Sequence, residues 1–281
     1  MILEGAIGDA YGAGFEFAER EKIERLNSIS SYETHPIFPE IKGRYTDDTQ
    51  MSIALAELLI SGKAWTQINI ANAFVDTFKR DPRRGYAKRF HAFLSDISSG
   101  EELLEKIINK STRNGASMRA YVLGVISNEA EIIEKCSIQA EITHGSEEAI
   151  ESSVAIALAS HYFIYSKGNK EQLISYLNDI QKHNWSGKWE SEVGMAGYET
   201  VEATLAVVVS DSNLKDKLKM SVDFGGDVDT VASLSLAISS LNSNVINDLP
   251  KLLTDELENG EFGKDYLITL DNQLKNIHNT L

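Results

Sequence analysis

The sequence predicts an all-α protein, and three observations carry this prediction. Apolar residues recur at the three- to four-residue spacing of helices through most of the 281 residues, rather than alternating as in strands. Only four prolines interrupt the pattern. Hydrophobic residues make up 42% of the chain, which is enough for a sizeable core, and no linker or internal repeat divides it. We therefore expect one compact domain over residues 1–281.

In chain order, the pattern predicts one long loop and ten helices. The loop spans residues 29–43, which include Pro36 and Pro39. The helices at 49–61 and 229–241 are apolar nearly all the way round, so we expect both at the centre of the fold. Ser99 and Glu102 form a capping-box pattern where the third helix starts. The other expected helices are 67–79, 101–109, 115–126, 128–135, 147–166, 170–182, 197–210 and 245–257.

The charge balance and the cysteine count exclude several classes of function. The chain carries 27 basic and 42 acidic residues, a formal net charge of −15. Such a surface repels nucleic-acid backbones and anionic membranes, so we expect neither as a general partner. A single cysteine, Cys136, permits no intrachain disulfide, and no apolar stretch is long enough for a membrane span. We expect a cytoplasmic protein, and a monomer by default.

Both central helices begin with aspartates and threonines. One interpretation is local, because acids in a first turn favour the helix dipole and Thr46 can serve as an N-cap. The other interpretation is a shared site: if the two helices pack side by side, four carboxylates enter one pocket and need compensation. Oxygen ligands suit Mg²⁺ or Mn²⁺, whereas the histidines show no zinc-ligand spacing. The two motifs are Thr46-Asp47-Asp48-Thr49 and Gly226-Asp227-Val228-Asp229-Thr230.

Two further segments place polar residues among small ones. Residues 5–17 are rich in glycine and alanine, which lets another backbone or a ligand approach closely, and they add Asp9 and Glu16. Residues 114–119 look like the polar start of an apolar helix, whose free N–H groups would suit a diphosphate. Each segment alone is also consistent with plain helix packing or an ordinary helix start.

Taken in order over roughly residues 3–240, these segments resemble the ADP-ribosylglycohydrolase family. The resemblance implies that family's orthogonal multi-helix all-α fold with a central binuclear magnesium centre, two Mg²⁺ with Mn²⁺ as a substitute. It places the metal ligands at Thr46, Asp47, Asp48, Asp227, Asp229 and Thr230. It places ADP-ribose near Asn114, Gly115, Ser117, His144 and Tyr86. The family usually has a glycine after that tyrosine, whereas this chain has Ala87.

The activity that the resemblance implies is hydrolysis of the N-glycosidic bond between ADP-ribose and a protein side chain, arginine first. Asp229 or Asp227 would activate a water molecule, and Glu16 would move a proton to or from the leaving group. Three alternatives stay open: an O-linked serine or small-molecule substrate, another metal hydrolase such as a phosphoesterase, and a silent member that binds ADP-ribose. Every metal-site aspartate is present, which favours an enzyme that acts on ADP-ribosylated protein.

Overall fold

A computed structural model describes the backbone of residues 1–280 and the side chains of residues 1–277. Leu281 and the side chain of His278 lie outside the described residues. Every regular element within them is helical, with three isolated β-bridges and no strand, which confirms the all-α prediction. In this part of the chain no helix combines the length and the apolarity that a membrane span requires.

Fourteen α-helices and four short 3₁₀ segments make up the described fold. The 3₁₀ segments are Pro39–Ile41, Asn114–Ala116, Ala120–Val125 and Lys170–Gln172. The α-helices are α1 (Ile2–Gly12), α2 (Arg20–Leu26), α3 (Asp47–Ser61), α4 (Gln67–Arg80), α5 (Lys88–Asp96), α6 (Gly100–Lys106), α7 (Glu129–Thr143), α8 (Glu147–Ile164), α9 (Leu173–Ile180), α10 (Gly197–Val209), α11 (Leu214–Asp223), α12 (Val228–Ser239), α13 (Lys251–Glu256) and α14 (Lys264–Thr280).

The two apolar helices are central, as predicted, but a third helix organises them. Helix α1 packs along α12 and also contacts α3, whereas α3 and α12 meet over only a few residues. Glycines make the α1–α12 approach possible. A Cβ on Gly8 would lie 2.6 Å from the carbonyl carbon of Ala232, and one on Gly12 would lie 2.8 Å from the Asp229 nitrogen. The two central helices are therefore brought together largely through α1, because the glycine-rich segment is itself a helix.

Three expected helices need correction. Residues 115–126 form 3₁₀ segments rather than an α-helix, because apolar spacing over so short a stretch does not separate 3.0 from 3.6 residues per turn. The helix expected at 128–135 continues to Thr143, with Cys136, Gln139 and Ala140 buried along the same face. The helix expected at 245–257 covers only Lys251–Glu256, because Pro250 disfavours helical backbone in the residue before it. Helices α1, α2, α5, α11 and α14 were not predicted.

The ends of the described chain meet across the core. One hydrophobic cluster includes buried side chains from Ile2 to Leu274. The Asp271 carboxylate on α14 accepts hydrogen bonds from the backbone N–H groups of Ile2 at 2.8 Å and Leu3 at 3.1 Å. Since the first N–H groups of a helix have no intrahelical acceptor, Asp271 supplies the missing cap for α1. Residues beyond 241 thus stabilise the helix that underlies α12.

Candidate metal centre and active site

Carboxylates from three separate segments converge where α3 and α12 begin. Oxygens of Asp9, Asp48 and Asp229 lie within 4.8 Å of one another, and so do oxygens of Glu16, Asp227 and Asp229. Asp229 belongs to both groups. All of these residues are buried except Glu16, whose side chain is 19% exposed. The acidic motifs at the starts of the two central helices therefore reach one site, together with acids from α1 and the loop that follows it.

Asp9 anchors the first motif rather than standing beside it. Its carboxylate accepts hydrogen bonds from the backbone N–H and the hydroxyl of Thr46, at 2.9 and 2.8 Å. It also accepts from the N–H and hydroxyl of Thr49, at 3.1 and 2.7 Å. These four donors fix the start of α3 against α1. The Thr46 hydroxyl donates a hydrogen bond to Asp9, so its oxygen lone pairs remain available for a cation.

The donor set fits a hard divalent cation. Asp48 Oδ1 and Asp229 Oδ1 are buried and have no hydrogen-bond partner among the described residues. A buried carboxylate oxygen without a partner is costly, and it is satisfied by a proton or a cation. Burial raises the pKa of Asp48, and the nearby Thr230 hydroxyl of α12 opposes this shift. Carboxylate and hydroxyl oxygens are the ligands that Mg²⁺ and Mn²⁺ prefer.

The pKa values of the clustered acids also indicate a cation site. Burial, opposed in part by the threonine donors, raises the pKa of Asp9 to about 6. Burial, with repulsion from Glu16, raises the pKa of Asp227 to about 7. Burial and then the neighbouring carboxylates raise the pKa values of Asp47, Asp48 and Asp229 well above the ordinary range. The site therefore holds more negative charge than the protein alone stabilises at neutral pH.

A backbone strap holds the second acidic motif in place. The Asp227 N–H donates to the Val193 carbonyl at 2.9 Å, and the Asn114 N–H donates to the Met195 carbonyl at 3.0 Å. Gly226 adopts a φ of +84°, and a Cβ there would collide with the Val193 backbone. The segment around 193–195 thus lies between the Asn114 turn and the start of α12. Nothing in the sequence marked this strap, apart from the glycines that permit the close approach.

Asn114 and Ser117, which the resemblance places near a ligand, use their side chains inside the protein. The Asn114 amide donates to Asp227 Oδ2 at 2.5 Å and to the Thr200 hydroxyl at 3.0 Å. The Ser117 hydroxyl donates to the Asn114 carbonyl at 2.8 Å. Asn114 thus orients an acid of the cluster. The expected helix N-terminus at this position is wrong, because Asn114–Ala116 is a single 3₁₀ turn.

His144 packs against that turn as a neutral ring. A Cβ on Gly115 would lie 2.8 Å from His144 Nε2, so glycine there leaves room for the imidazole. Arg119 donates to the Thr143 hydroxyl at 2.9 Å, and this hydroxyl lies 2.7 Å from His144 Nδ1. Burial, followed by the charges of Arg119 and Arg113, lowers the pKa of His144 to about 3.

Tyr86 lies beside the first motif but turns its hydroxyl inward. The hydroxyl donates to Gln50 Oε1 at 2.8 Å, and the ring packs edge-on against Phe78. The preceding Gly85 has a φ of +102°, and a Cβ there would collide with the Asp47 carboxylate and lie 2.7 Å from the Thr46 Cβ. This segment therefore approaches the acids through its backbone.

The structure brings all of the expected site residues to one region, and their individual roles stay predictions. Glu16, Asp48, Asp227 and Asp229 offer oxygens to the two close groups, and Asn114 contacts Asp227, whereas Tyr86 and Ser117 support neighbouring segments. Sequence reasoning left Asp9 without a role and missed the 193–195 strap. It also missed His35, which contacts Glu16 across 19 positions of sequence and leaves no local pattern.

Comparisons with known proteins agree with one another. A family model described as ADP-ribosylglycohydrolase matches residues 1–241. The chain is 22% identical to human ADP-ribosylhydrolase ARH3, over 84% of this chain and 83% of that protein. It is 24% identical to the ADP-ribosyl-(dinitrogen reductase) glycohydrolase of Rhodospirillum rubrum, over 87% and 84% of the two chains. It is also 24% identical to the ADP-ribosylarginine hydrolase Tri1 of Pseudomonas putida strain GB-1, over 83% and 66%.

The fold is similar to that of a solved "ADP-ribosylglycohydrolase-related protein complex". The two structures superpose with a TM-score of 0.75 at 21% sequence identity. The match covers 99% of this chain and 96% of the other. The likeness extends past residue 241, so the C-terminal helices belong to the shared fold.

Proposed function

The chain belongs to the ADP-ribosylglycohydrolase family, as its motifs predict, and from this premise we propose that it hydrolyses the N-glycosidic bond between ADP-ribose and an arginine side chain of a modified protein. The family and the names of its relatives make it an ADP-ribosyl glycohydrolase. The arginine acceptor and the metal are our proposals. The observation that carries them is the convergence of Glu16, Asp48, Asp227 and Asp229, two of them with unpartnered buried oxygens.

Two arguments favour arginine as the acceptor. A guanidinium leaving group is cationic until the bond breaks, and the site is lined by carboxylates. Glu16 is the most exposed of the clustered acids and so the one that a protein-borne guanidinium meets first. In addition, Tri1 is named for ADP-ribosylarginine, and the Rhodospirillum relative for an ADP-ribosylated enzyme. A modified protein is thus the partner that we propose.

The residues that would hold the metal are the six expected from the resemblance, and we propose two Mg²⁺, with Mn²⁺ as a substitute. When bound, these cations would supply positive charge that orients the ribose hydroxyls and lowers the pKa of a water molecule held beside them. Asp9 would stay outside this set as the group that anchors Thr46. The ligands are Thr46, Asp47, Asp48, Asp227, Asp229 and Thr230.

The chain's own residues would then carry the proton transfers. The oxygen of a water molecule bonds to the anomeric carbon, the carbon–nitrogen bond breaks, and its electron pair stays with the guanidine. Asp229 or Asp227 accepts the proton of that water, and the guanidine nitrogen gains one, with Glu16 as the group within reach. Asn114 holds Asp227 through a 2.5 Å hydrogen bond, so this acid is oriented before substrate arrives.

The test is release of free ADP-ribose from an arginine-ADP-ribosylated protein, with Mg²⁺ and with EDTA, beside a serine-linked substrate and a generic phosphodiester. We expect Mg²⁺-dependent release from the arginine linkage. Release from the serine linkage alone would overturn the acceptor, and turnover of the phosphodiester alone would overturn the reaction. ADP-ribose binding without any release would identify a silent member.

A matched pair of variants separates chemistry from folding. Asp229→Asn should retain the far-ultraviolet circular dichroism of the wild type and lose activity by about 100-fold or more, because it removes an acid shared by both groups. Asp179→Asn changes an exposed aspartate on α9 and should behave as wild type. Full turnover by Asp229→Asn would refute the assignment.

A further inference from the structure

The Glu16 side chain is held by one buried histidine. His35 is 3% exposed, and its Nε2 lies 2.8 Å from Glu16 Oε2. The histidine belongs to the loop between α2 and α3, 19 positions after the glutamate. Glu16 offers a carboxylate oxygen to the group that includes Asp227 and Asp229. His35 thus contacts an acid of the candidate active site.

The hydrogen bonds of the ring fix which nitrogen carries the proton. His35 Nδ1 accepts the backbone N–H of Ile37 at 2.9 Å and that of Phe38 at 3.1 Å. A nitrogen that accepts two N–H groups carries no proton, so in the neutral ring the proton is on Nε2. His35 therefore donates Nε2–H to Glu16, and the loop backbone enforces this tautomer.

The backbone around Glu16 is fixed on both sides, which leaves its side-chain rotation as the remaining freedom. A Cβ on Gly14 would lie 2.8 Å from the Glu33 carbonyl oxygen, so the two loops pack backbone to backbone. Lys22 Nζ bridges them, donating to the carbonyls of Gly14 at 2.6 Å and Thr34 at 2.7 Å. Phe17 adopts a φ of +46° and donates its N–H to Gly226.

We propose that His35 is a positioning residue for Glu16: its Nε2–H holds the Glu16 carboxylate toward Asp227 and Asp229 in the orientation the reaction uses. This inference rests on the proposed function. A partner of this kind fixes the orientation of an active-site group and typically changes activity or affinity by about 10–100-fold when removed. The competing explanation is purely structural, with His35 serving only to cap the 36–38 turn through Nδ1.

Two substitutions divide these roles because they retain different ends of the imidazole. His35→Asn keeps an acceptor near the Nδ1 position, so it can still cap the turn, but it loses the donor to Glu16. His35→Gln keeps an N–H donor near the Nε2 position and loses the acceptor for the Ile37 and Phe38 N–H groups. Positioning predicts that His35→Asn lowers kcat by about 10-fold or more with KM little changed, and that His35→Gln restores most of it. A structural role predicts the reverse order.

A double variant tests whether His35 acts through Glu16. In a Glu16→Ala background, His35→Asn should cause no further loss of kcat, because the group it positions is gone. His183→Asn serves as the matched control, since His183 stacks on Tyr198 at a ring distance of 4.0 Å and makes no contact with the acids. Wild-type kcat in His35→Asn, or multiplicative losses in the double variant, would overturn the proposal.

A readout independent of turnover is the tautomer, measured by long-range ¹H–¹⁵N correlation on ¹⁵N-histidine-labelled protein. We expect the His35 pattern of a protonated Nε2 and an unprotonated Nδ1. In Glu16→Ala the Nε2 proton should exchange faster with water while Nδ1 stays unprotonated. A proton on Nδ1, or an unchanged Nε2 signal in the variant, would refute the pairing. A wild type that releases no ADP-ribose yet shows the expected spectra would refute the proposed function alone.

Discussion

Helix α1 offers a graded series of glycine-to-alanine substitutions against α12. A Cβ added at Gly5 would meet the Tyr121 hydroxyl at 3.2 Å and the Ala237 Cβ at 3.3 Å. One added at Gly12 would lie 2.8 Å from the Asp229 nitrogen and closer still to its Cα. Ordinary contact needs roughly 3.5 Å, so Gly12→Ala must separate the helices by roughly 0.7 Å or more, whereas Gly5→Ala needs only a few tenths.

The energetic consequences follow from the size of each overlap. Overpacking costs about 1–3 kcal/mol, and alanine in a helix interior gains about 1 kcal/mol over glycine. Gly5→Ala should therefore be near neutral in the free energy of unfolding. Gly8→Ala, whose Cβ would lie 2.6 Å from the Ala232 carbonyl carbon, and Gly12→Ala should each lose about 1–3 kcal/mol. Only Gly12→Ala pushes on Asp229 directly, and a misplacement near 1 Å costs about 100-fold in rate.

Urea unfolding gives the free energies, and ADP-ribose release normalised to folded protein gives the rates. Because all three glycines lie on one helix, Gly5→Ala controls for the change in propensity, and Gly8→Ala controls for a strained interface that meets α12 at Ala232 rather than at Asp229. Equal rates for Gly8→Ala and Gly12→Ala would refute the claim that the α1–α12 contact sets the position of Asp229. Wild-type stability of both variants would refute the close packing itself.

Three further predictions concern the charged groups. EDTA should lower Tm more at pH 8 than at pH 5.5. The pKa values of Asp9 and Asp227 are raised to about 6 and about 7, so protons neutralise these acids at low pH. This stabilisation is lost as the pH rises through those values, and above them only a bound cation offsets the negative charge. An equal Tm shift at both pH values would contradict this. Asp9→Asn should lower the free energy of unfolding in urea by about 2–4 kcal/mol, because it removes a carboxylate acceptor for Thr46 and Thr49. It should also weaken Mn²⁺ binding in a calorimetric titration, and unchanged Mn²⁺ affinity would show that Asp9 does not contribute to the metal site. Lys217→Met should lower the free energy of unfolding by about 2–4 kcal/mol and leave kcat unchanged. The buried ammonium of Lys217 donates to carbonyls and a hydroxyl at the end of α10. A loss of kcat in the folded variant would contradict this prediction.

The central helices could be predicted from the sequence because their largely apolar composition is compatible only with a buried position. Residues 49–61 and 229–241 have no broad polar face, and the structure has them as Asp47–Ser61 and Val228–Ser239. Helix α1 could not be predicted in the same way. Its glycines are poor helix formers, and the segment is helical because those glycines allow α12 to approach. Tertiary packing outweighs propensity there, and packing partners are not visible in a local pattern.

The same distinction applies to the site. Acids at the starts of two central helices form a visible sequence motif, so a shared site for Asp48, Asp227 and Asp229 could be predicted. The groups that hold them come from elsewhere. The 193–195 strap accepts hydrogen bonds from the N–H groups of Asp227 and Asn114 through backbone carbonyls alone, and backbone carbonyls leave no trace in residue type. His35 depends on a loop conformation that presents the Ile37 and Phe38 N–H groups to its ring. Contacts between such distant segments can be identified only in the folded structure.

The capping of the two central helices bears on the two interpretations of their acidic starts. Thr66, Ser99, Asn128 and Ser146 cap their helices with their own side chains. The N-cap residues of α3 and α12 make no such bond. At α3 the N–H of Thr49, the usual target of an N-cap side chain, is taken by Asp9 from another helix.

The side-chain oxygens of the two acidic motifs therefore do not cap their own helices. Asp48 Oδ1 and Asp229 Oδ1 are buried without a hydrogen-bond partner in the described part of the chain, and burial raises the pKa values of both acids. If these aspartates served only the helix dipole, exposed first-turn positions would provide that stabilisation of about 0.3–1 kcal/mol without the desolvation. Burying them is unfavourable for the protein alone and becomes favourable when a cation shares the site. The arrangement therefore favours a metal centre over a structural role for the acids.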